Sequence, residues 1–308
     1  MPINICFSCD NRYVQHLCCT IKSLIETNDE EFNIIVLDGG ITFENQQYIK
    51  SLLNNKSIIE FIKLDNSRFK NCPLTKETFH INSLSTYYRF LLSSICDLDR
   101  ILYLDCDIIV RKSIKALYDT NVDDYYFAGV KDILYEENCK RLSLEKYCNA
   151  GVMLINLDLW RKNNIEEKLF KWCIENPDKI KWQDQDVLNV VLQDKIKYLD
   201  DIYNTQVAEG DFGLLKYFYN NADNAAIIHY VTCFKPWLFS DFKPNRYYLK
   251  HLFTLKGHIM WKLKYFNIIH IYRWLNRKRK QFLRLKFSSK EKYIIIFGKT
   301  LYEEGINL

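Results

Sequence analysis

Glycine and proline are scarce in this sequence of 308 residues, which contains 9 Gly and 5 Pro. Together with the lack of any internal period, this scarcity excludes a collagen-like chain, a low-complexity chain and a tandem-repeat protein. No run approaches the roughly 18 apolar residues that a membrane-spanning helix needs. The opening residues MPINICFSCD have neither a basic region nor a long apolar core, so we expect no secretory signal.

A disulfide framework is missing as well. The eleven cysteines are an odd number, are scattered among apolar neighbours and include the adjacent pair Cys18-Cys19. This usage favours buried thiols in a reducing compartment. Cys6 and Cys9 form the only C-x-x-C. Because no second pair and no histidine cluster accompanies them, strand packing is a better interpretation than a zinc site.

Acidic residues are rare in one part of the chain only. Between residues 245 and 292 the sequence has fourteen Lys and Arg but a single acidic residue, Glu291. Residues 1–244 contain 28 Lys and Arg against 35 Asp and Glu. We therefore predict a mildly acidic domain over residues 1–244, followed by a basic, aromatic-rich segment over residues 245–308.

What the sequence does contain is an alternation of strand and helix patterns in its first half. The strand patterns cover residues 3–9, 32–38, 57–64 and 100–105, and the helix patterns cover residues 15–27, 44–54 and 84–96. Such alternation predicts an α/β fold built from parallel βαβ units. Farther on the patterns predict short strands at 125–130, 150–156 and 225–229, and helices at 165–175 and 186–192.

The stretch RILYLDCDIIV places Asp105, Cys106 and Asp107 at the end of a buried strand pattern. In open parallel sheets, ligands bind beyond the carboxyl ends of the strands, and Asp10 follows the first strand in the same way. A solvated strand end is the simpler interpretation of two acidic residues. Ionised carboxylates at a buried edge nevertheless need a partner, and two oxygen ligands on one side suit Mg²⁺ or Mn²⁺.

The stretch IIHYVTCFKPW offers a third ligand. His229 ends a short apolar strand pattern, and Lys235 follows it by six residues. Each residue alone is typical of ordinary structure, a core histidine and a loop lysine. Together with the two aspartates they supply an imidazole for a metal and an ammonium for a phosphate. One histidine with two aspartates favours Mn²⁺ over Mg²⁺.

Four motifs in this order, RILYLDCDIIV, YCNAGVMLINLDLWR, WQDQDVLN and HYVTCFKPW, resemble glycosyltransferase family 8. The similarity runs from about Ile3 to Trp237 and is strongest to bacterial lipopolysaccharide and lipooligosaccharide galactosyl- and glucosyltransferases. It implies a GT-A type fold with a mostly parallel central sheet. It also implies a retaining transfer of galactose or glucose from a UDP-sugar, with Mn²⁺, or else Mg²⁺, bridging the diphosphate.

The resemblance also assigns residues to roles. It assigns metal binding to Asp105 and Asp107, which form the DxD motif, and to His229. It gives the nucleotide, donor sugar and diphosphate to Ser8, Asp10, Tyr13, Arg89, Cys106, Asn149, Ala150, Gly151 and Lys235. Asp184 and Gln185 would face the donor sugar and the reaction centre. His80 and Asp132 would lie on the acceptor side.

Two positions depart from the family pattern, and a third position, Gln185, bears on the mechanism. Arg12 stands where the bacterial galactosyltransferases usually carry Asn, and Thr232 replaces a common Gly. The residue expected nearest the anomeric carbon is Gln185. Because an amide is a poor nucleophile, we expect front-face attack by the acceptor, and not a covalent glycosyl-enzyme.

The basic segment contains MWKLKYFNIIHIYRWLNRKRKQFLRLKF, in which aromatic and apolar residues recur at helical spacing. These residues are Trp261, Tyr265, Ile268, Tyr272 and Leu275. The pattern predicts a helical tail on an anionic membrane surface. Packing on the domain is the simpler alternative. Nucleic acid binding is not expected, because no recognition motif accompanies the charge.

These observations predict a cytoplasmic transferase at the inner face of the cell membrane, whose acceptor is a cell-envelope saccharide or a lipid-linked saccharide. One alternative is a nucleotidyltransferase that makes a nucleotide-sugar, although CFSCDNRY lacks the Gly-rich basic loop of such enzymes. The other is a non-catalytic carbohydrate-binding module. The presence of Asp105, Asp107, His229 and Lys235 argues against this second alternative.

Overall fold

The computed structural model describes residues 2–75, 83–208, 222–231, 235–237 and 243–257, and the backbone of three strands between residues 283 and 305. Its strands are β1 Ile3–Cys9, β2 Phe32–Asp38, β3 Ile58–Lys63, β4 Arg100–Leu104, β5 Ile108–Val110, β6 Phe127–Lys131, β7 Cys148–Asn156, β8 Ile196–Tyr198, β9 Thr205–Val207, β10 Ile227–Tyr230, β11 Leu283–Phe287, β12 Glu291–Ile296 and β13 Lys299–Gly305. Its α-helices are α1 Val14–Thr27, α2 Phe43–Lys50, α3 Leu92–Ile95, α4 Lys115–Tyr118, α5 Tyr135–Leu142, α6 Leu157–Lys162, α7 Ile165–Glu175, α8 Gln183–Leu192 and α9 Asn245–Thr254.

A seven-stranded sheet in the order β3-β2-β1-β4-β7-β6-β8 forms the centre of the fold. The neighbours β3, β2, β1 and β4 are parallel, as the alternating sequence pattern predicts. β7 runs antiparallel to both β4 and β6, and β8 is parallel to β6. The sheet is thus mostly parallel, and the carboxyl ends of β1 and β4 lie side by side at one edge.

A second, three-stranded sheet in the order β5-β10-β9 begins immediately after β4. The sequence predicts a strand over residues 100–105, and strand alternation is expected to bring Asp105 and Asp107 to one side. The structure differs, because β4 ends at Leu104 and residues 105–107 form a turn into β5. The apolar residues of β5 pair with β10 and not with the central sheet. The turn, and not strand alternation, therefore places the two carboxylates.

Both faces of the central sheet are covered by apolar packing. In β1, Ile5 and Phe7 belong to the cluster that includes Leu17 of α1, whereas Cys6 belongs to the cluster on the other face that includes Trp160 of α6. Full burial of apolar side chains of this size stabilises the fold by about 1.5–3 kcal/mol each. The ten cysteines that the structure describes are free, and nine of them are buried.

The predicted helix over residues 84–96 forms in two parts. Leu84–Leu91 is a 3-10 helix, and α3 completes the segment over four residues. Tyr87, Tyr88 and Phe90 are buried in this tighter helix, which places Arg89 in the interior as well. The position of Arg89 is the feature of this segment that matters for the candidate site.

Beyond residue 244 the structure describes α9 and three strands. α9 packs on α1, where Tyr248 and Leu252 are buried. β11, β12 and β13 form an antiparallel sheet over residues that the sequence analysis included in the helical tail. The stretch from Trp261 to Leu275, on which the helical prediction rests, lies outside the described residues. Within the described ranges, no helix has the length and apolar content to cross a membrane.

Candidate active site

Carboxylates and an imidazole meet just beyond the carboxyl end of β4. Asp105 and Asp107 lie in the turn between β4 and β5, and the backbone N–H of Asp105 donates to Gly151 O in β7 at 2.8 Å. His229 lies in β10, where it pairs with Ile108. Because β5 begins directly after the turn, this pairing brings the imidazole next to both carboxylates.

The three side chains fit a divalent cation. One ligand atom from each of Asp105, Asp107 and His229 lies within 4.8 Å of the others. His229 Nε2 is 3.3 Å from Asp107 Oδ1 and 3.7 Å from Asp105 Oδ2. Asp107 Oδ1 is buried and accepts no hydrogen bond from the described residues, which is costly unless a cation lies beside it. Two carboxylates and one imidazole suit Mn²⁺ or Mg²⁺.

Gly151 allows this close approach. A Cβ at residue 151 would lie 2.2 Å from His229 Cε1, 2.7 Å from His229 Nδ1 and 2.8 Å from Asp105 Oδ2. All three distances are shorter than van der Waals contact. The missing side chain of Gly151 therefore shapes the space in which the imidazole and the carboxylate converge.

Lys235 lies beside the cluster and is buried. Its Nζ donates to Asp107 Oδ2 at 2.6 Å and to Tyr230 O at 2.6 Å. Burial alone raises the pKa of Asp107, but the ammonium of Lys235 and, when its ring is protonated, the imidazolium of His229 outweigh burial, so the pKa lies well below its ordinary value. The Asp107 carboxylate is therefore ionised while it is still in contact with Lys235.

Arg89 connects the carboxylate cluster to Asp184. Its guanidinium is buried, lies 2.9 Å from Asp105 Oδ1 and 3.0 Å from Asp184 Oδ2, and stacks over the ring of Tyr103 at 3.8 Å. Burial raises the pKa of Asp184 to about 6, because it outweighs the lowering by Arg89 and by the hydroxyl of Thr86. Arg89 thus holds two of the predicted site carboxylates in fixed positions.

A cavity of about 90 Å³ opens against this group of charges. Among the residues that line it are seven of the predicted site residues: Ser8, Asp10, Tyr13, Arg89, Asp105, Cys106 and Asp107. Ser83, Ser85, Thr86 and Tyr103 line it as well. The structure therefore brings the residues assigned to the nucleotide next to those assigned to the metal.

Arg12 pairs with Asp10 at the rim of this cavity. The Asp10 carboxylate accepts hydrogen bonds from the backbone N–H of Arg12 at 2.9 Å, from its Nε at 3.1 Å and from its Nη2 at 2.7 Å. Asp10 is the carboxylate that the resemblance assigns to the uracil edge. Arg12, the residue that departs from the family pattern, therefore already occupies that carboxylate.

The predicted sugar-side residues form a hydrogen-bonded group at the start of α8. Gln185 Oε1 accepts from Ala150 N at 3.0 Å and from Asn149 Nδ2 at 3.2 Å. Gln185 Nε2 donates to Asp132 Oδ2 at 3.1 Å and to Tyr147 Oη at 3.2 Å. The amide of Gln185 is thus fixed on both sides.

Asp132 also borders a larger cavity of about 420 Å³. Residues of β6, of the 3-10 helix Asp201–Asn204 and of β9 line this cavity, among them Gln206. Burial raises the pKa of Asp132 despite the hydrogen bonds from Asn149, the Leu134 N–H and Gln185. His80, the other residue predicted on the acceptor side, lies outside the described residues.

Residues 4–241 match the family described as glycosyl transferase family 8. The chain belongs to this family. It is 30% identical over 255 residues to General stress protein A of Bacillus subtilis, covering 77% of this chain and 88% of that protein. It is 30% identical over 251 residues to the lipopolysaccharide 1,3-galactosyltransferase of Salmonella typhimurium, covering 76% of this chain and 72% of that protein.

A solved structure of the galactosyltransferase LgtC in complex with donor and acceptor sugar analogs is similar to this glycosyltransferase. The TM-score is 0.74 with 28% sequence identity, and the match covers 85% of this chain and 100% of that chain. The predicted GT-A type fold is confirmed by this similarity. The chain spans 65% of a Haemophilus influenzae protein named as a glycosyltransferase, and 31% of the glycosyltransferase GlyA of Streptococcus pneumoniae.

Three residues of this glycosyltransferase were missed by the sequence analysis. Thr86 donates to Asp184, and its position three residues before Arg89 on one helix is a signal that could have found it. Asn204 contacts His229, and no motif marks it. Gln183 has a left-handed φ of 45° and a buried amide without a hydrogen-bond partner among the described residues, for which the sequence gives no signal.

Proposed function

We propose that this glycosyltransferase transfers galactose or glucose from a UDP-sugar to a saccharide of a cell-envelope glycolipid, with retention at the anomeric carbon and with Mn²⁺, or else Mg²⁺, bound by Asp105, Asp107 and His229. One observation carries the proposal. Three ligand atoms converge within 4.8 Å of one another, and the buried cationic groups of Lys235 and Arg89 lie beside them. With a divalent cation bound, the cation, Lys235 and Arg89 together suit a nucleoside diphosphate.

The diphosphate is the leaving group in this proposal. A divalent cation, when bound, neutralises the charge that develops on the diphosphate as the sugar departs. Lys235 Nζ exchanges its contact with Asp107 Oδ2 for a phosphate oxygen and adds a fixed positive charge. Arg89 keeps Asp105 and Asp184 in place, so that Asp184 orients the hydroxyls of the donor sugar.

The nucleotide and the donor sugar bind at opposite ends of this group. Ser8, Asp10 and Tyr13 contact uridine, and Arg12 releases or shares the Asp10 carboxylate when the base binds. The stretch Asn149-Ala150-Gly151 lines the sugar position, where small residues allow the backbone to come close to a ligand. Family membership favours this transfer over nucleotide-sugar synthesis.

Retention proceeds by front-face attack in this proposal. Gln185 is an amide held by four hydrogen bonds, so it is a poor nucleophile, and the departing phosphate takes the proton of the acceptor hydroxyl. We expect Gln185→Ala to slow transfer without abolishing it. We expect Gln185→Glu to yield no covalent sugar adduct by mass spectrometry. A trapped adduct in that variant would favour a double displacement through a covalent glycosyl-enzyme over front-face attack.

The acceptor approaches from the cavity that Asp132 borders. Its volume of about 420 Å³ is large enough for a monosaccharide unit, and the polar side chains in its lining, among them Asp132 and Gln206, suit hydroxyl groups. The Salmonella relative is named for lipopolysaccharide, which supports a cell-envelope acceptor. We place the enzyme in the cytoplasm at the inner face of the membrane, where such acceptors are assembled.

A donor screen tests the proposal. The full chain is incubated with Mn²⁺ and each of UDP-glucose, UDP-galactose and their N-acetyl forms, and UDP release is followed with and without EDTA. We expect release with one hexose donor, its loss in EDTA, and its loss in Asp107→Asn. Asp119→Asn, an amide substitution at an exposed aspartate, is the matched control. Undiminished release in EDTA would overturn the metal-dependent transfer.

A further inference from the structure

Asn204 is a buried residue at the point where the metal ligand His229 meets the sugar-side group. It ends the 3-10 helix Asp201–Asn204, directly before β9, and is 1% exposed. β9 runs parallel to β10, so the end of the 3-10 helix lies next to His229. Asn204 Oδ1 lies 3.0 Å from His229 Nδ1, and Asn204 Nδ2 donates to Asn149 Oδ1 at 2.9 Å.

The orientation of the side-chain amides of Asn149 and Asn204 follows from a hydrogen bond of the Gly151 backbone N–H. The N–H of Gly151 donates to Asn149 Oδ1 at 3.0 Å, which fixes that atom as an oxygen. The other end of the Asn149 amide faces Asp132 Oδ2 at 3.1 Å, a carboxylate oxygen that only an N–H satisfies. Asn204 must then present its own NH₂ group to Asn149 Oδ1. Its oxygen is left to face His229.

The tautomer of His229 follows from the orientation of Asn204. An amide oxygen only accepts hydrogen bonds, so His229 Nδ1 carries the hydrogen at their 3.0 Å contact. In the neutral ring, Nε2 then has a lone pair that points toward Asp107 Oδ1 at 3.3 Å and Asp105 Oδ2 at 3.7 Å. Two carboxylate oxygens and this nitrogen form a set of electron-pair donors with no hydrogen between them.

We propose that Asn204 is a positioning residue that holds His229 in the Nδ1–H tautomer, so that Nε2 is presented to a divalent cation. The inference rests on the proposed metal-dependent transfer. Because Asn204 also binds Asn149, it joins the metal ligand to the residues that hold Gln185 and Asp132. Groups that orient a metal-bound histidine typically change metal affinity or activity by 10–100-fold when they are removed.

Two substitutions at Asn204 separate the two contacts. Asn204→Leu removes both hydrogen bonds. Asn204→Asp keeps an acceptor for His229 Nδ1 but loses the donor to Asn149. Asn156→Leu is the matched control, since Asn156 is also buried but caps α6 at the opposite end of β7, away from the site. Asn204→Ala replaces the leucine variant if that variant does not fold.

Two properties are measured on the full chain of each variant, the affinity for Mn²⁺ and the tautomer of His229. The affinity for Mn²⁺ is measured from the electron paramagnetic resonance signal of the free ion. The tautomer of His229 is measured in the metal-free chain from long-range ¹H–¹⁵N spectra of the imidazole nitrogens, with His229→Gln identifying the signal among the six histidines. We expect Asn204→Leu to weaken Mn²⁺ binding by about 10–100-fold and to lose the Nδ1–H pattern. We expect Asn204→Asp and Asn156→Leu to keep both the affinity for Mn²⁺ and the Nδ1–H pattern of His229.

Two results would overturn the inference: an unchanged tautomer and affinity in Asn204→Leu, or the same losses in Asn204→Asp as in Asn204→Leu. A loss of Mn²⁺ affinity in Asn156→Leu equal to that in Asn204→Leu would also count against it. Failure of the unmodified chain to bind Mn²⁺ counts against the proposed function instead. The tautomer of His229 is still measured in that case, so the two failures are told apart.

Discussion

Gly151 has room for a hydrogen atom and for nothing larger. A methyl group there would overlap the His229 ring at 2.2 Å and approach Asp105 Oδ2 at 2.8 Å, so both ligands would have to move. We expect Gly151→Ala to lower the affinity for Mn²⁺ and to slow transfer on the order of 100-fold, as displacements near 1 Å do at reacting centres. Calorimetric titration with Mn²⁺ and the rate of UDP release measure the two effects.

Gly129→Ala is the matched control for Gly151→Ala. Its added methyl group would meet the edge of the Phe127 ring at 3.1 Å, which is tight, but none of the three atoms nearest to it belongs to Asp105, Asp107 or His229. We expect this variant to keep both Mn²⁺ binding and transfer. Wild-type affinity for Mn²⁺ in Gly151→Ala would show that the ligands do not converge as described.

Asp184 makes stability depend on pH. Its pKa is raised to about 6, whereas an aspartate in the unfolded chain titrates near 3.9. The folded state therefore binds more protons between these values, and the free energy of unfolding falls as pH rises from about 4 to 6. We expect the free energy of unfolding of Asp184→Asn, relative to that of the wild type, to rise by about 2 kcal/mol between pH 4 and pH 7.

Urea unfolding at several pH values between 4 and 8 measures this difference. Only the change in the difference between variant and wild type is used, because other carboxyl groups titrate in the same range in both proteins. Asp119→Asn, at an exposed site, controls for the amide substitution itself. Parallel curves for Asp184→Asn and wild type across this range would contradict the raised pKa of Asp184.

The sequence marks the proposed metal ligands more clearly than the residues that hold them. Asp105, Asp107 and His229 lie in recognisable motifs at the ends of strand patterns. Asn204 and Gly151 act through shape and hydrogen-bond direction, and these depend on which strands pair. Residue type and spacing along the chain do not contain that information, so Asn204 could not be predicted.

Among the helices, α9 belongs to the packed domain although it lies beyond the charge boundary. Tyr248 and Leu252 are buried against α1, and the Tyr248 hydroxyl lies 2.7 Å from His16 Nδ1. We expect a chain that ends at Pro244 to lose about 1.5–3 kcal/mol of unfolding free energy for each buried side chain, compared with a chain that ends at Gly257. Urea unfolding of the two chains measures the loss.

Equal stability of the two shortened chains would mean that α9 does not pack as described. The boundary predicted from charge falls between residues 244 and 245, and a chain cut there loses a helix that covers the core. Experiments on the basic segment should therefore cut after Gly257, which leaves α9 in place.

The pattern of elements is predictable where packing is regular and is not predictable where the chain changes sheets. β1 to β4 follow the alternation of apolar runs, because each strand is covered on both faces. The apolar run of β5 follows that of β4 after only Asp105-Cys106-Asp107, so the sequence does not show that the chain changes sheets at these residues. The pairing of β5 with β10 produces the turn, and this pairing joins residues more than a hundred positions apart.

At the scale of the whole molecule, the two sheets share one edge at which the charges are concentrated. The central sheet supplies Asp105 from the end of β4, and the smaller sheet supplies His229 from β10. Neither sheet alone contains a complete set of ligands. Relative movement of the two sheets would therefore separate Asp105 from His229, and buried polar contacts such as that of Asn204 with Asn149 join the two sheets.

The positive charge of the chain is concentrated after residue 257, and we predict that this segment binds the anionic membrane surface. Eleven Lys and Arg lie between residues 258 and 292, and each basic group near such a surface contributes about 1 kcal/mol. We expect the full chain to sediment with anionic phospholipid vesicles at low salt and to be released at high salt, since the Debye length falls from about 10 Å at 0.1 M to 3 Å at 1 M. A chain that ends at Gly257 should keep Mn²⁺ binding and UDP-sugar hydrolysis but should no longer sediment. Equal sedimentation of both chains, or none by the full chain at low salt, would show that the basic segment serves another purpose.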